Sequence, residues 1–133
     1  MIKLIVGLKG TGKTKTLISE ANAAAFKDHG GVICVEKGRK LIYDISHKVR
    51  LISSEEYDIN TYDRFFGFLC GVLSANYDIT DIFVDSITKI CGTDLAELEK
   101  FLEEVSTVIR NVNIIITVSH EPESLPDGLK KYL

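Results

Sequence analysis

Gly7-Leu8-Lys9-Gly10-Thr11-Gly12-Lys13-Thr14 is the stretch that decides the reading of this chain. It fits the pattern G-x-x-x-x-G-K-[ST] at every fixed position. The apolar run Ile2 to Val6 enters it and reads as a short buried strand. A helix over residues 13–27 leaves it, with Leu17, Ala21, Ala24 and Ala25 on one face. His29-Gly30-Gly31 ends that helix, because glycine takes the left-handed cap conformation without strain. Strand, glycine-rich turn and helix together make a cradle for phosphate. Gly7, Gly10 and Gly12 admit backbone conformations and close approaches that a side chain would block. The exposed amides converge on phosphate oxygens, aided by the positive end of the helix. Leu8, Lys9, Gly10, Thr11, Gly12, Lys13, Thr14 and Lys15 are therefore the candidate nucleotide-binding residues. Lys13 neutralises the β- and γ-phosphates of a nucleoside triphosphate, and Thr14 offers a hydroxyl to magnesium. The side chains of Lys9 and Lys15 read as solvent-facing.

Working outward, Val32 to Val35 is a second buried strand, Ile82-Phe83-Val84-Asp85 a third and Val112 to Val118 another. Asn60 is placed to cap a helix running to about Asn76, apolar on more than one side. Within it Gly67 and Gly71 read as packing residues. Asp94 caps a further helix and Glu97 completes a capping box. Leu95, Leu98, Leu102, Val105 and Ile109 form its apolar stripe. Between residues 36 and 53 the pattern is irregular. Leu41 to Ile45 and Val49 to Ile52 both look extended, as a hairpin-like excursion or with the second segment joining the sheet. The tail from Glu121 holds both prolines and ends in a helical turn. Near-continuous apolar strands alternating with helices predict an α/β fold, a three-layer sandwich around a mostly parallel sheet. Residues 1–133 read as a single domain. Ligands bind beyond the carboxyl ends of such strands. That edge collects Gly7 to Thr14, Glu36, Asp85 and Ser119.

Composition narrows the classes. Hydrophobic residues make up 45% and charged residues 26%, as in a soluble globular protein. The formal net charge of -3 excludes a generally basic polyanion binder, so nucleic acid would need a local patch. Lys37, Arg39, Lys40, Lys48 and Arg50 are the only such cluster, and no aromatic interleaving supports single-strand stacking. Met1 to Val6 is too short for a signal peptide, and no apolar run approaches the roughly 18 residues of a membrane helix. Cys34, Cys70 and Cys91 are odd in number and far apart, which suggests reduced, mostly buried thiols and a cytoplasmic protein.

The loop, directly after the first strand, resembles the P-loop NTPase superfamily. The resemblance runs more loosely over most of the chain. Ile82 to Asp85 looks like the Walker B strand of that superfamily, which makes Asp85 the second magnesium residue beside Thr14. Asp85 also reads as a plain turn cap before Ser86. Many of these ATPases place a glutamate where this chain has Ser86, so a base must come from elsewhere. Glu36, at the end of the second strand, resembles the catalytic glutamate of RecA-like and circadian-clock ATPases. Ser119 or Thr117, with His120 as runner-up, resembles the polar sensor near the tip of an adjacent strand. The resemblance thus implies a RecA-like chain that binds Mg-ATP and hydrolyses it slowly. Lys13, Glu36 and Ser119 are its catalytic candidates. ATP is preferred because the Asn-Lys-x-Asp signature of guanine-specific GTPases is absent. A homo-oligomer or a protein partner is the expected source of an activating arginine, with Arg39 the candidate within this chain. Two alternatives stay open. One is a nucleoside or small-molecule kinase, though neither an arginine-rich lid nor an Asp-Glu pair at the third strand is present. The other is a non-hydrolysing nucleotide sensor or assembly subunit.

Overall fold

The computed structural model describes residues Met1 to Leu133. Five strands, β1 Ile2–Gly7, β2 Gly31–Glu36, β3 Arg50–Ser53, β4 Ile79–Val84 and β5 Asn113–Ser119, form one sheet in the order β1-β5-β4-β2-β3. Every pairing is parallel. The expected three-layer α/β sandwich is therefore present, with a sheet that is wholly parallel. All strand carboxyl ends lie at one edge.

Both faces of the sheet are covered, which explains the continuous apolar runs. In β2, Val32 and Cys34 turn to one face while Ile33 and Val35 turn to the other. Helix α1, Lys13–Lys27, covers the first face with Leu17, Ala21 and Ala25, one turn apart. Helices α2, Tyr62–Ala75, and α4, Leu95–Val108, cover the second face together with the short helix α3, Ile87–Cys91. Phe65 and Phe101 meet edge to face at 5.7 Å between centroids and tie α2 to α4. The tail closes with the short helix α5, Asp127–Lys130, where Leu129 is buried.

Four details differ from the sequence expectations. Leu41 to Ile45 is a tight turn, not an extended segment. The amides of Asp44 and Ile45 both donate to the Leu41 carbonyl, at 2.9 and 3.0 Å. Leu41 and Ile45 are buried while Tyr43 is 95% exposed. The burial period is thus four, as in a helical turn, whereas a strand would bury Tyr43 as well. Thr61, not Asn60, caps α2, its hydroxyl accepting the Arg64 amide. Gly67 and Gly71 pack against nothing, since a Cβ at either would meet no atom within 4 Å. Helix α3 was not expected, because its five residues are too few to show a period and Ile87, Thr88 and Ile90 are β-branched. Segment Arg50–Ser53 does join the sheet, pairing with β2.

Phe65 is fully buried at the centre of the aromatic contact. Phe65→Ala is expected to cost ~3–5 kcal/mol of stability, read from the urea midpoint. A loss below about 1 kcal/mol would show that α2 is not anchored there.

Candidate functional site

The loop between β1 and α1 is built by two left-handed glycines, Gly10 at φ 86° and Gly12 at φ 89°. Gly12 caps α1 without any side-chain acceptor, so the first-turn amides are left for a ligand. The Thr11 hydroxyl donates to the Leu8 carbonyl at 2.7 Å and stiffens the loop. The Lys13 amine donates to the same carbonyl at 3.0 Å and forms no ion pair. Burial pulls this amine below the usual lysine value. Asp85 opposes that shift, and the like charge of Lys89 adds to it.

Asp85 follows β4 directly. Its Oδ1 accepts the Thr14 hydroxyl at 3.0 Å and the Thr117 hydroxyl at 3.1 Å. The Thr117 oxygen in turn accepts the Ser86 amide at 2.7 Å. The Asp85 amide donates to the Val35 carbonyl at 2.9 Å. The carboxylate therefore joins α1, β5 and the β4 end, a stronger role than a turn cap. The Thr14 hydroxyl and the Asp85 carboxylate are adjacent hard oxygen donors. That is the chemistry magnesium takes when phosphate oxygens and water complete its shell. No cluster of three or more His, Cys, Asp or Glu residues suggests a different metal centre.

Glu36, ending β2, is 4% exposed. Its two oxygens accept the amides of Lys40 and Leu41, each at 3.0 Å. Burial raises its carboxyl above the usual glutamate range, against those two amides. Glu36 thus also holds the turn that follows β2. Ser119 stands exposed at the end of β5, in register with Gly7.

These groups line one cleft of about 670 Å³, with Lys9, Gly10, Gly12, Lys13, Thr14, Lys15, Glu36, Asp85 and Ser119 in its walls. Leu8 and Thr11 open instead onto a second cleft on the other side of the loop, beside Glu121 and Pro122. Thr117 bonds to Asp85 and supports the carboxylate from below. His120 turns away, its ring within 3.2 Å of the Ser124 hydroxyl. The expected basic cluster is divided. Lys37, Arg39 and Lys40 border a polar extension of the main cleft, while Arg50 lies in a separate cleft at the β3 edge that Arg39 also lines. That separate cleft is slightly larger, about 700 Å³, but it holds none of the loop residues. Arg39 is paired with Glu56.

The sequence reading missed Lys89, which projects from α3 into the cleft. It also missed the backbone of Ser86, which is left-handed at φ 58°. No residue pattern signals either feature, because both depend on a helix too short to be read. Cys34 and Cys91 are buried, Cys70 half-buried, and all three thiols are free. Burial pushes the thiols of Cys34 and Cys91 up to about 12.

No family model matches the sequence, and no curated protein matches it. Among solved structures the chain is similar to the flagellar accessory protein FlaH from Methanocaldococcus jannaschii, with a TM-score of 0.57. The alignment covers 98% of this chain at 17% identity. The chain spans 65% of that protein's length. The likeness shows the fold, a RecA-like α/β sandwich. No helix of this chain is long and apolar enough to cross a membrane.

Thr117→Val removes both the donor to Asp85 and the acceptor of the Ser86 amide. It is expected to destabilise the fold by ~1–3 kcal/mol through the unpaired amide. Thermal unfolding measures this, and an unchanged midpoint would show the relay to be incidental.

Proposed function

We propose that this chain binds ATP with magnesium at the loop cleft and hydrolyses it slowly, as a small ATP-dependent switch. The observation that carries the reading is the 3.0 Å contact between Thr14 and Asp85 beside a glycine-built loop. The loop amides and Lys13 hold the β- and γ-phosphates. Thr14 and Asp85 hold magnesium, which draws charge from the phosphates when bound. Ser119 touches the terminal phosphate from the β5 end. Glu36 is the base. Its raised carboxyl is a stronger base than an ordinary glutamate. A carboxylate offers about four acceptor sites, so the amides of Lys40 and Leu41 leave room for a water.

Slow turnover has a structural reason. The cleft is lined by lysines and by no arginine. Phosphoryl-transfer ATPases commonly gain several orders of magnitude from an arginine supplied across an interface. A second copy or a protein partner would supply it here. FlaH is described as an accessory protein, and an accessory role beside a larger machine accords with slow turnover. A second reading, a non-hydrolysing nucleotide sensor, is favoured by the engagement of both Glu36 oxygens with backbone amides.

Lys13→Ala is expected to abolish Mg-ATP binding in calorimetry, and unchanged affinity would overturn the site. Glu36→Gln should retain binding and lose turnover. A glutamine also turns an NH2 toward one of two amides, so it should cost about 1–3 kcal/mol of stability. Retained hydrolysis would assign the base elsewhere, and no hydrolysis by the unaltered chain would favour the sensor. Label from the γ-phosphate found on a nucleoside would make the chain a kinase.

The pH dependence has a definite sign. Catalysis needs the Glu36 carboxylate, and burial raises its pKa. The acid limb of kcat/KM should therefore lie above the usual glutamate range, with activity lost as pH falls through it. The same shift favours the protonated native state. Its stability contribution is full below the unfolded-state pKa and is lost as pH rises through the folded one.

A further inference from the structure

We propose that Lys89 is a second cation for the triphosphate taken by this cleft, selective for its terminal phosphate. This role rests on the nucleotide reading above.

The argument begins with α3. Ile87, Thr88, Ile90 and Cys91 are buried, and Lys89 is the one exposed residue of the helix. Four buried neighbours fix the backbone from which the lysine projects. Its amide donates to the Ser86 carbonyl at 2.9 Å. Ser86 is itself locked, left-handed at φ 58° with its amide on Thr117. A non-glycine residue held there is strained, and such strain persists only where the surroundings over-determine it. The strained turn is what directs α3, and with it Lys89, toward the cleft. The lysine stands four residues after Asp85 and lines both the main cleft and its polar extension.

The electrostatics agree with the geometry. Neither Lys13 nor Lys89 forms an ion pair. Asp85, the carboxylate between them, is engaged by Thr14 and Thr117. Burial depresses the Lys13 amine most, Asp85 opposes that shift, and the charge of Lys89 adds a smaller depression. A polyanion that touches both lysines meets more positive charge than the Asp85 carboxylate alone balances. Lys40 also lines this cleft but sits beside Glu36, whose carboxylate it stabilises.

Topology selects the terminal phosphate. The loop follows β1, while α3 follows β4, and β5 separates those strands. A polyphosphate anchored on the loop amides reaches Lys89 only with the end that passes Asp85. A diphosphate lacks that terminal group. Lys89 therefore discriminates between the two nucleotides from within the chain.

The test is calorimetry of the full chain with magnesium and either ADP or a nonhydrolysable ATP analogue. Lys89→Ala is expected to weaken the triphosphate about tenfold and to leave the diphosphate within about twofold. Lys89→Arg should restore most of the difference, because the charge is kept. Lys100→Ala, which removes an exposed charge on α4, controls for net charge and should change neither affinity. Equal losses for both nucleotides would overturn the selectivity, and no loss for either would leave Lys89 a solvated lysine. Circular dichroism of Lys89→Arg and Lys89→Ala checks folding, and Lys89→Arg alone still tests the claim if the alanine variant unfolds: retained preference for the triphosphate supports it, lost preference overturns it. Failure of the unaltered chain to bind either nucleotide would instead overturn the nucleotide reading itself.

Discussion

A single carboxylate oxygen, Oδ1 of Asp85, organises the edge of this molecule where the strands end. It accepts one hydroxyl from α1 and one from β5, and it stands on the end of β4. Three elements distant in sequence are thereby held within hydrogen-bond reach. The glycine loop supplies amides, and this carboxylate adds a polar tie at the start of α1 to the apolar packing of Leu17, Ala21 and Ala25 on the sheet. The Ser86 turn, the direction of α3 and the placement of Lys89 all follow from the same point.

The sheet order gives that point its meaning. Because β5 runs between β1 and β4, the loop and the carboxylate are separated by one strand, and Thr117 bridges the gap from below. Had the loop strand lain directly beside β4, a hydroxyl from β5 would have had no route to the carboxylate. The parallel arrangement then brings Glu36 and Ser119 to the same edge without further devices.

Much of this was legible from residues alone. The glycine spacing, the apolar runs of β1, β2, β4 and β5, and the Asp94 cap each carry a local physical signal. The sandwich and the residues that gather at the carboxyl ends of its strands followed from them. What was not legible depends on contacts between distant residues. Leu41 to Ile45 alternates like a strand, yet two amides held by Glu36 and the bonds from Asn22 to Asp44 and Ser46 fold it into a turn. The sequence shows Glu36 as a strand-end carboxylate. It does not show that the carboxylate also shapes the loop that follows. Helix α3 is below the length at which a period can be read, so Lys89 had no visible context. Thr117 read as one of two polar tips on β5, and only the register of the sheet reveals that it supports Asp85.

The buried thiol of Cys34 has a consequence of another kind. It lies in β2 under the charged cleft, where burial first, and the negative fields of Asp85 and Glu36 second, hold it protonated up to about 12. Only a thiolate attacks disulfides, alkylating agents or soft metal ions. The Cys34 thiol, fully buried, is therefore chemically silent at neutral pH. Oxidants and electrophiles that reach the phosphate loop meet lysines and carboxylates, and the sulfur beneath them does not respond.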